Sequence, residues 1–212
     1  MRMRRKAYRE AVLSDRKDVL IENPELYKGK WKTLLKAEKL HVEIGSGKGD
    51  YWFRMAQLYP KDGWLAIERN LDVSAIALKK LPKPMLENAR FIALDGRDLR
   101  LWFAEEEIDA LHLNFVDPWP KRAHMNRRLT HPDFLVIYRS LLSKTGLIIM
   151  KSDNKDLMDY SRTTLQQYDF ITKESSDDYR QKDKSEDAIS EYEQKFISLK
   201  QPIYRTVWQV NK

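Results

Sequence analysis

Cysteine is absent from the 212-residue sequence. That excludes disulfide staples and thiolate metal sites, and it fits a reducing compartment. Long apolar runs are missing too, since stretches such as GLIIM are far too short to span a bilayer. The opening MRMRRKAYRE has basic residues with no apolar segment behind them, so nothing there resembles a signal peptide. His124 and His131 are not spaced as metal ligands and no carboxylate joins them, so no metal is expected. No internal repeat or low-complexity segment occurs. These absences lead us to expect a soluble, cytoplasmic protein.

What remains is a globular composition with a cationic excess. Hydrophobic residues make up 42 %, the formal net charge is +7 and the pI is about 9.4. A chain of this length can bury a full core as one domain. The charge suits a polyanionic partner such as nucleic acid, or an acidic membrane surface. Five of the first nine residues are Arg or Lys. Residues 1–30 are therefore expected to form a basic N-terminal arm, either a solvated tail or a phosphate-binding extension. Residues 31–212 are expected to form a single domain.

Short apolar runs recur from residue 40: LHVEIG, GWLAIE, ARFIALD, ALHLNFVD and GLIIMKSD. Helix-length segments lie between most of them. DYWFRMAQLYP places Trp52, Met55, Ala56 and Tyr59 on one helical face and stops at Pro60. Such alternation predicts crossover units and a parallel sheet covered on both faces. Towards the C-terminus we expect a strand over Asp169 to Glu174, a mobile charged loop ESSDDYRQKDKSED, and a helix over Ser190 to Leu199. YRTVWQV, Tyr204 to Val210, alternates as an antiparallel strand does.

LHVEIGSGKGDYW reads as strand, glycine-rich turn and helix. Glycines let the backbone approach a ligand, and the helix N-terminus aims N–H groups at it. The phosphate loop of NTPases needs Ser or Thr after Gly-Lys, but Gly49 follows Lys48. The dinucleotide fingerprint needs glycine at position 50, which is Asp50. What remains is an acid, Glu43, just before Gly45 and Gly47. An acid there repels a pyrophosphate and favours an ammonium or sulfonium group. Glu68 ends the next run, 23 residues after Gly45, near the offset of about 20 residues at which a carboxylate holds ribose hydroxyls. Asp95 ends the third run, within reach of an adenine edge. Three acids at successive strand ends line one crevice in an open sheet. The ligand they imply is S-adenosyl-L-methionine, whose adenosine has no phosphate and whose sulfur is cationic.

The fourth run ends at Asp117-Pro118-Trp119-Pro120. The prolines hold the backbone extended, and Trp119 offers a face on which a base can stack. Next come Lys121, Arg122, His124, Arg127 and Arg128. Such a cluster beside an acceptor site reads as phosphate contacts that position a polynucleotide.

With these motifs in view, the chain resembles the bacterial tRNA (guanine-N7)-methyltransferases, the TrmB-type enzymes. The resemblance runs through MRMR, NP…KGKW, EIGSGKG, NFVDPWPK…H…RRL, SDN, EYE and QPIYR. It implies a class I, Rossmann-like α/β fold with a mostly parallel seven-stranded sheet and an antiparallel C-terminal strand. It implies methyl transfer from S-adenosylmethionine to N7 of a guanine in the variable loop of tRNA. Glu43, Glu68, Asp95 and Asp117 would match cofactor positions, with Asp117 also catalytic. Lys121, Asp153 and the segment Ser190, Glu191, Tyr192, Glu193 would match substrate positions, and residues Ala123 to Arg128 the RNA-contacting segment. The sequence departs from the family pattern at Lys121-Arg122-Ala123-His124, where Lys-x-Arg-His is usual, at Ser190, where threonine is usual, and at Gly96, where alanine is common.

Guanine N7 has a lone pair and no proton, so attack on the methyl needs no general base. Asp117 would then stabilise the arriving positive charge. Asp153 either shares that task or caps the following helix. The rival functions are methylation of another acceptor and a non-catalytic RNA-binding module. Whether the protein is a monomer or a homodimer is left open.

Overall fold

The computed structural model describes residues 8–97 and 99–212. Residues 1–7 of the expected arm lie outside this range. The chain runs α1 (Arg9–Asp15), α2 (Trp31–Leu35), β1 (Leu40–Ile44), α3 (Asp50–Leu58), β2 (Gly63–Ile67), α4 (Leu71–Lys80), β3 (Ala89–Ile92), β4 (Ile108–Asn114), α5 (Pro132–Leu141), β5 (Leu142–Ser152), α6 (Lys155–Gln167), β6 (Phe170–Ser176), α7 (Glu191–Ser198) and β7 (Tyr204–Val210). One seven-stranded sheet has the order β3-β2-β1-β4-β5-β7-β6. β1 to β5 pair in parallel, and β7 lies antiparallel between β5 and β6. The order reverses between β1 and β4, and the crevice at that switch point is where open sheets bind ligands.

Strand alternation splits the core in two. Leu40, Val42, Ile44, Leu65, Ile67, Leu111, Leu113, Ile148 and Met150 pack with residues of α2, α5 and α6. Trp64, Ala66, Ala89 and Phe91 face the other way and pack with α3 and α4. The face of α3 that is buried comprises Tyr51, Trp52, Met55 and Ala56. Trp52 is fully buried and donates its indole N–H to the Trp64 carbonyl at 2.9 Å. Removing such a ring costs about 3–5 kcal/mol.

On the α3 side, the centre of the sheet is polar. His41 and Glu43 of β1, His112 and Asn114 of β4, and Lys151 of β5 occupy same-face register positions. Glu43, His112, Asn114 and Lys151 are buried. An apolar layer is thus replaced by hydrogen-bonded groups, which low dielectric makes costly unless they are paired.

From Arg16 onward, the stretch expected to be an arm is docked. The Arg16 guanidinium donates to the Leu78, Leu81 and Pro82 carbonyls at the C-terminal end of α4. Val19, Leu20 and Ile21 run along β3, with the Phe91 N–H donating to the Val19 carbonyl and the Ile21 N–H to the Phe91 carbonyl. The boundary expected at residue 30 therefore falls inside packed structure. The reason is that Val19 and Ile21 are apolar and buried, while nearby charges dominate the local composition.

Candidate functional site

The turn between β1 and α3 is built by three left-handed residues: Gly45 at φ +74°, Gly47 at +58° and Gly49 at +76°. Only glycine adopts these angles without a Cβ penalty. The Gly45 and Ser46 amides bond to the Ile67 carbonyl at 2.8 and 3.1 Å. Glu68, just past β2, reaches back to accept from the Gly47 amide at 3.1 Å and also from the Asn70 amide at 2.7 Å.

Two adjoining cavities open at the C-terminal ends of the strands and share Gly45 and Phe115. The first, about 370 Å³, is lined by Glu43, the glycine turn, Asn114 and the first turn of α7. The second, about 560 Å³, is lined by Glu68, Asp95, Asp117, Trp119 and Arg127. The four acids expected at successive strand ends are thus gathered around one crevice.

Glu43 is the most unusual of them. Burial pushes its carboxyl up to about 8, against the opposing pull of the Asn114 hydrogen bond, the Lys151 charge and the Trp52 backbone N–H at the start of α3. Asn114 Nδ2 donates to Oε1 at 2.8 Å, whereas Oε2 is buried without a hydrogen-bond partner of good geometry. A buried acceptor in this state is matched by a ligand donor, and a cationic one most of all.

Beyond β4 the chain is strained at two non-glycine residues flanking Asp117: Phe115 at φ +51° and Trp119 at +39°. Asp117 itself is exposed. The Arg127 guanidinium lies over the Trp119 ring at 4.9 Å, and His124 meets the ring edge-on at 5.7 Å. Lys121, Arg122 and Arg127 are exposed. Arg128 behaves differently from the phosphate contact expected of it. It is buried, donates to the Pro118 and Trp119 carbonyls at 2.9 and 3.3 Å, and stacks over Tyr160 at 4.4 Å. It ties the end of the basic loop to its beginning.

Of the two alternatives for Asp153, the cap is taken by its neighbour. Asn154 accepts from the Leu157 amide at 2.8 Å. Asp153 and Asp117 both lie near enough to Tyr192 for their charges to add to the rise that burial imposes on its phenol.

The segment from Ser190 to Glu193 divides. Ser190 caps α7 by accepting from the Glu193 amide at 3.0 Å. Glu191 is exposed and pairs with Lys48 of the glycine turn at 2.6 Å, which lowers its carboxyl below the usual range. Tyr192 packs on Phe115 and Phe196 with centroids at 5.4 and 5.0 Å. Glu193 is wholly buried between Lys151 and Arg180.

Sequence reasoning passed over Asn114, Phe115, Lys151, Arg180 and Asp187. A charge inside GLIIMKSD, an otherwise apolar buried strand, was the available signal for Lys151. Arg180 and Asp187 sit in the loop expected to be mobile. Tyr179 of that loop is instead buried and its amide donates to the Ile203 carbonyl at 2.8 Å.

Among the described residues, no group of three or more His, Asp and Glu is placed to hold a metal ion. No helix among them is long and apolar enough to cross a membrane.

A family model described as "Putative methyltransferase" matches residues 37–206. A tRNA (guanine-N(7)-)-methyltransferase of Geobacillus kaustophilus (strain HTA426) is 37 % identical over 206 residues, covering 97 % of this chain and 95 % of that protein. One of Limosilactobacillus reuteri (strain DSM 20016) is 35 % identical over 209 residues, covering 98 % of each. Among solved structures, an antibiotic-related methyltransferase superposes with a TM-score of 0.65 at 15 % identity, covering 84 % of this chain and 92 % of that one. The 16S rRNA methyltransferase KamB gives 0.63 at 10 % identity, covering 87 % and 94 %. At such identities the likeness is one of fold, that of class I methyltransferases.

Proposed function

The chain belongs to the family of bacterial tRNA (guanine-N7)-methyltransferases, and we infer from that membership and from its crevice that it methylates N7 of a guanine in tRNA. It is an enzyme of tRNA modification. The observation that carries the reading of the site is the buried, half-satisfied carboxyl of Glu43 beside a glycine turn. That buried carboxyl, short of good hydrogen bonds at one oxygen, fits the amine of S-adenosylmethionine better than it fits any phosphate-bearing cofactor. S-adenosylmethionine supplies an electrophilic methyl group on a cationic sulfur.

The chain's own residues bind, orient and stabilise. Glu43 and the amides of Gly45 to Gly47 hold the amino-acid end, while Glu68 and Asp95 hold the ribose and adenine. Guanine N7 offers a lone pair and carries no proton, so the protein has no proton to remove there. Asp117, exposed on the wall of the second cavity, faces the ring as positive charge arrives on it and accepts hydrogen bonds from the guanine N1–H and amine. Asp153, whose charge like that of Asp117 reaches Tyr192, shares this duty. Lys121, Arg122, His124 and Arg127 supply the cationic rim for the RNA backbone. The working compartment is then the cytoplasm, where tRNA is modified.

The direct test treats bulk tRNA with purified protein and S-adenosylmethionine and maps the modified base. N7-methylguanine at one position is expected. Methylation of protein or of small acceptors with tRNA left unmodified would refute the reading.

A further inference from the structure

Glu193 lies in the segment that the family resemblance assigns to the acceptor, yet its carboxylate is fully engaged inside the protein. Oε1 accepts from Arg180 Nε at 2.6 Å and Oε2 from Lys151 Nζ at 2.9 Å. The same two cations grip Asp187. Its Oδ2 accepts from Lys151 Nζ at 2.8 Å and from Arg180 Nη2 at 2.6 Å. Arg180 adds bonds to the Asp187 and Ala188 carbonyls at 3.2 and 3.1 Å. Two cations and two anions therefore neutralise one another in a dry cluster, with both Lys151 and Glu193 at 0 % exposure.

A hydrogen-bonded rod extends the cluster across the sheet. Tyr51 has one hydroxyl proton, and it goes to Asp187 Oδ1 at 3.0 Å. Tyr51 must then accept at its other contact, so His112 Nδ1 is the donor there at 3.1 Å. His112 Nε2 is left to accept from His41 Nδ1 at 3.0 Å. Burial holds His112 well below its ordinary pKa, which keeps it neutral and suits this single proton order.

The cluster joins β5, α3, the loop carrying Arg180 and Asp187, and α7. Ser190 fixes the start of α7 on the amide of Glu193 itself. One and two residues before it, Tyr192 and Glu191 line the first cavity against Phe115 and Lys48. Any rotation of Glu193 away from its two cations moves the cavity wall.

We propose that Glu193 is a positioning residue, which does not touch the acceptor, and that Arg180 and Lys151 act with it to set the first turn of α7 against the crevice. The proposal rests on the methyltransferase reading above and assigns Arg180, a residue in a loop without any motif, a part in acceptor recognition.

The experiment is a double-mutant cycle of Glu193→Gln, Arg180→Gln and the double variant, assayed for methyl transfer with tRNA varied. Each single change is expected to lower kcat/KM by on the order of 10- to 100-fold, largely through KM for tRNA, as displacement of a wall by about 1 Å does. The double variant is expected to be no worse than the weaker single, since both remove one linkage. Arg180→Lys keeps the charge and is expected to recover part of the loss. A raised KM in Glu193→Gln with an unchanged KM in Arg180→Gln would overturn the proposal, because Glu193 would then meet the acceptor itself. A lower melting temperature and lower kcat with KM unchanged would overturn it too, as a merely structural role. If Arg180→Gln does not fold, Asp187→Asn decides, since Asp187 holds the same two cations: a KM for tRNA equal to the wild type's overturns the proposal. A wild-type protein inactive on tRNA refutes the functional reading, whereas an active one with a silent Arg180→Gln refutes this inference alone.

Discussion

Asn114 donates to one oxygen of Glu43 at 2.8 Å, and the other oxygen is buried without a hydrogen bond of good geometry, the Trp52 backbone N–H at the start of α3 giving the carboxyl further support. The pair spans β1 and β4, the two strands between which the sheet order reverses. The carboxyl is consequently held in a state that a cationic ligand completes, and its pKa of about 8 reports the cost of ionising it alone.

A pH dependence follows with a definite sign. The folded ligand-free protein keeps a proton on Glu43 that the unfolded chain loses above its ordinary 4.5. Stability therefore falls as pH rises from about 4.5 to about 8 and levels beyond it, at up to about 1.4 kcal/mol per unit. Glu43→Gln should flatten that decline in urea titrations at several pH values, and an unchanged slope would count against it. Cofactor binding near neutral pH should release a proton, visible as a buffer-dependent heat in calorimetry. The same variant should bind S-adenosylmethionine more weakly.

Asp117 offers a cleaner separation of chemistry from folding. It is exposed, so Asp117→Asn should leave the unfolding free energy within about 0.5 kcal/mol of wild type. Turnover on tRNA should drop by on the order of 100-fold if the charge stabilises the ring. Near-normal turnover would remove it from that role.

Arg127 and Arg128 are adjacent and should behave unlike each other. Arg127→Glu should weaken tRNA binding and reduce the salt slope of binding by about 1 per lost phosphate contact, with cofactor affinity preserved. Arg128→Ala should instead destabilise the protein, because Arg128 holds the Pro118 and Trp119 carbonyls. Its loss leaves partly buried acceptors unmet, at about 1 kcal/mol each. Equal salt slopes for the two variants would contradict the distinction.

Gly49 has a φ of +76° at the start of α3. A Cβ there would meet Ala77 and Trp52 at an unstrained 3.5 Å, so the penalty of Gly49→Ala is conformational, about 1–2 kcal/mol. Denaturant midpoints measure it; a loss several times larger would point to a packing clash.

Much of this architecture was legible in the chain because its signals are local. Apolar runs separated by helix-length segments mark β1 to β5, and the alternation of YRTVWQV marks β7 as antiparallel. The placement of the acids was legible as well: Glu43 lies near the end of β1, Glu68, Asp95 and Asp117 lie just past β2, β3 and β4, and the glycine turn marks the crevice beside them. What escaped is long-range. Lys151 and Arg180 are held by Asp187 and Glu193, and no window of sequence contains that cluster. Arg128 looked like its cationic neighbours because burial, not residue type, sets its task. The docking of residues 16–21 depends on a few apolar side chains whose partner, β3, lies about seventy positions downstream.

That docked strip has a bearing on how the protein can be trimmed. The family-model match begins only at residue 37, which tempts an experimenter to discard what precedes it. Doing so would strip the outer margin of β3, leaving the Phe91 amide and carbonyl bare and free to recruit strangers. A shortened version should therefore clump rather than stay dispersed, and light scattering would reveal it before any assay did.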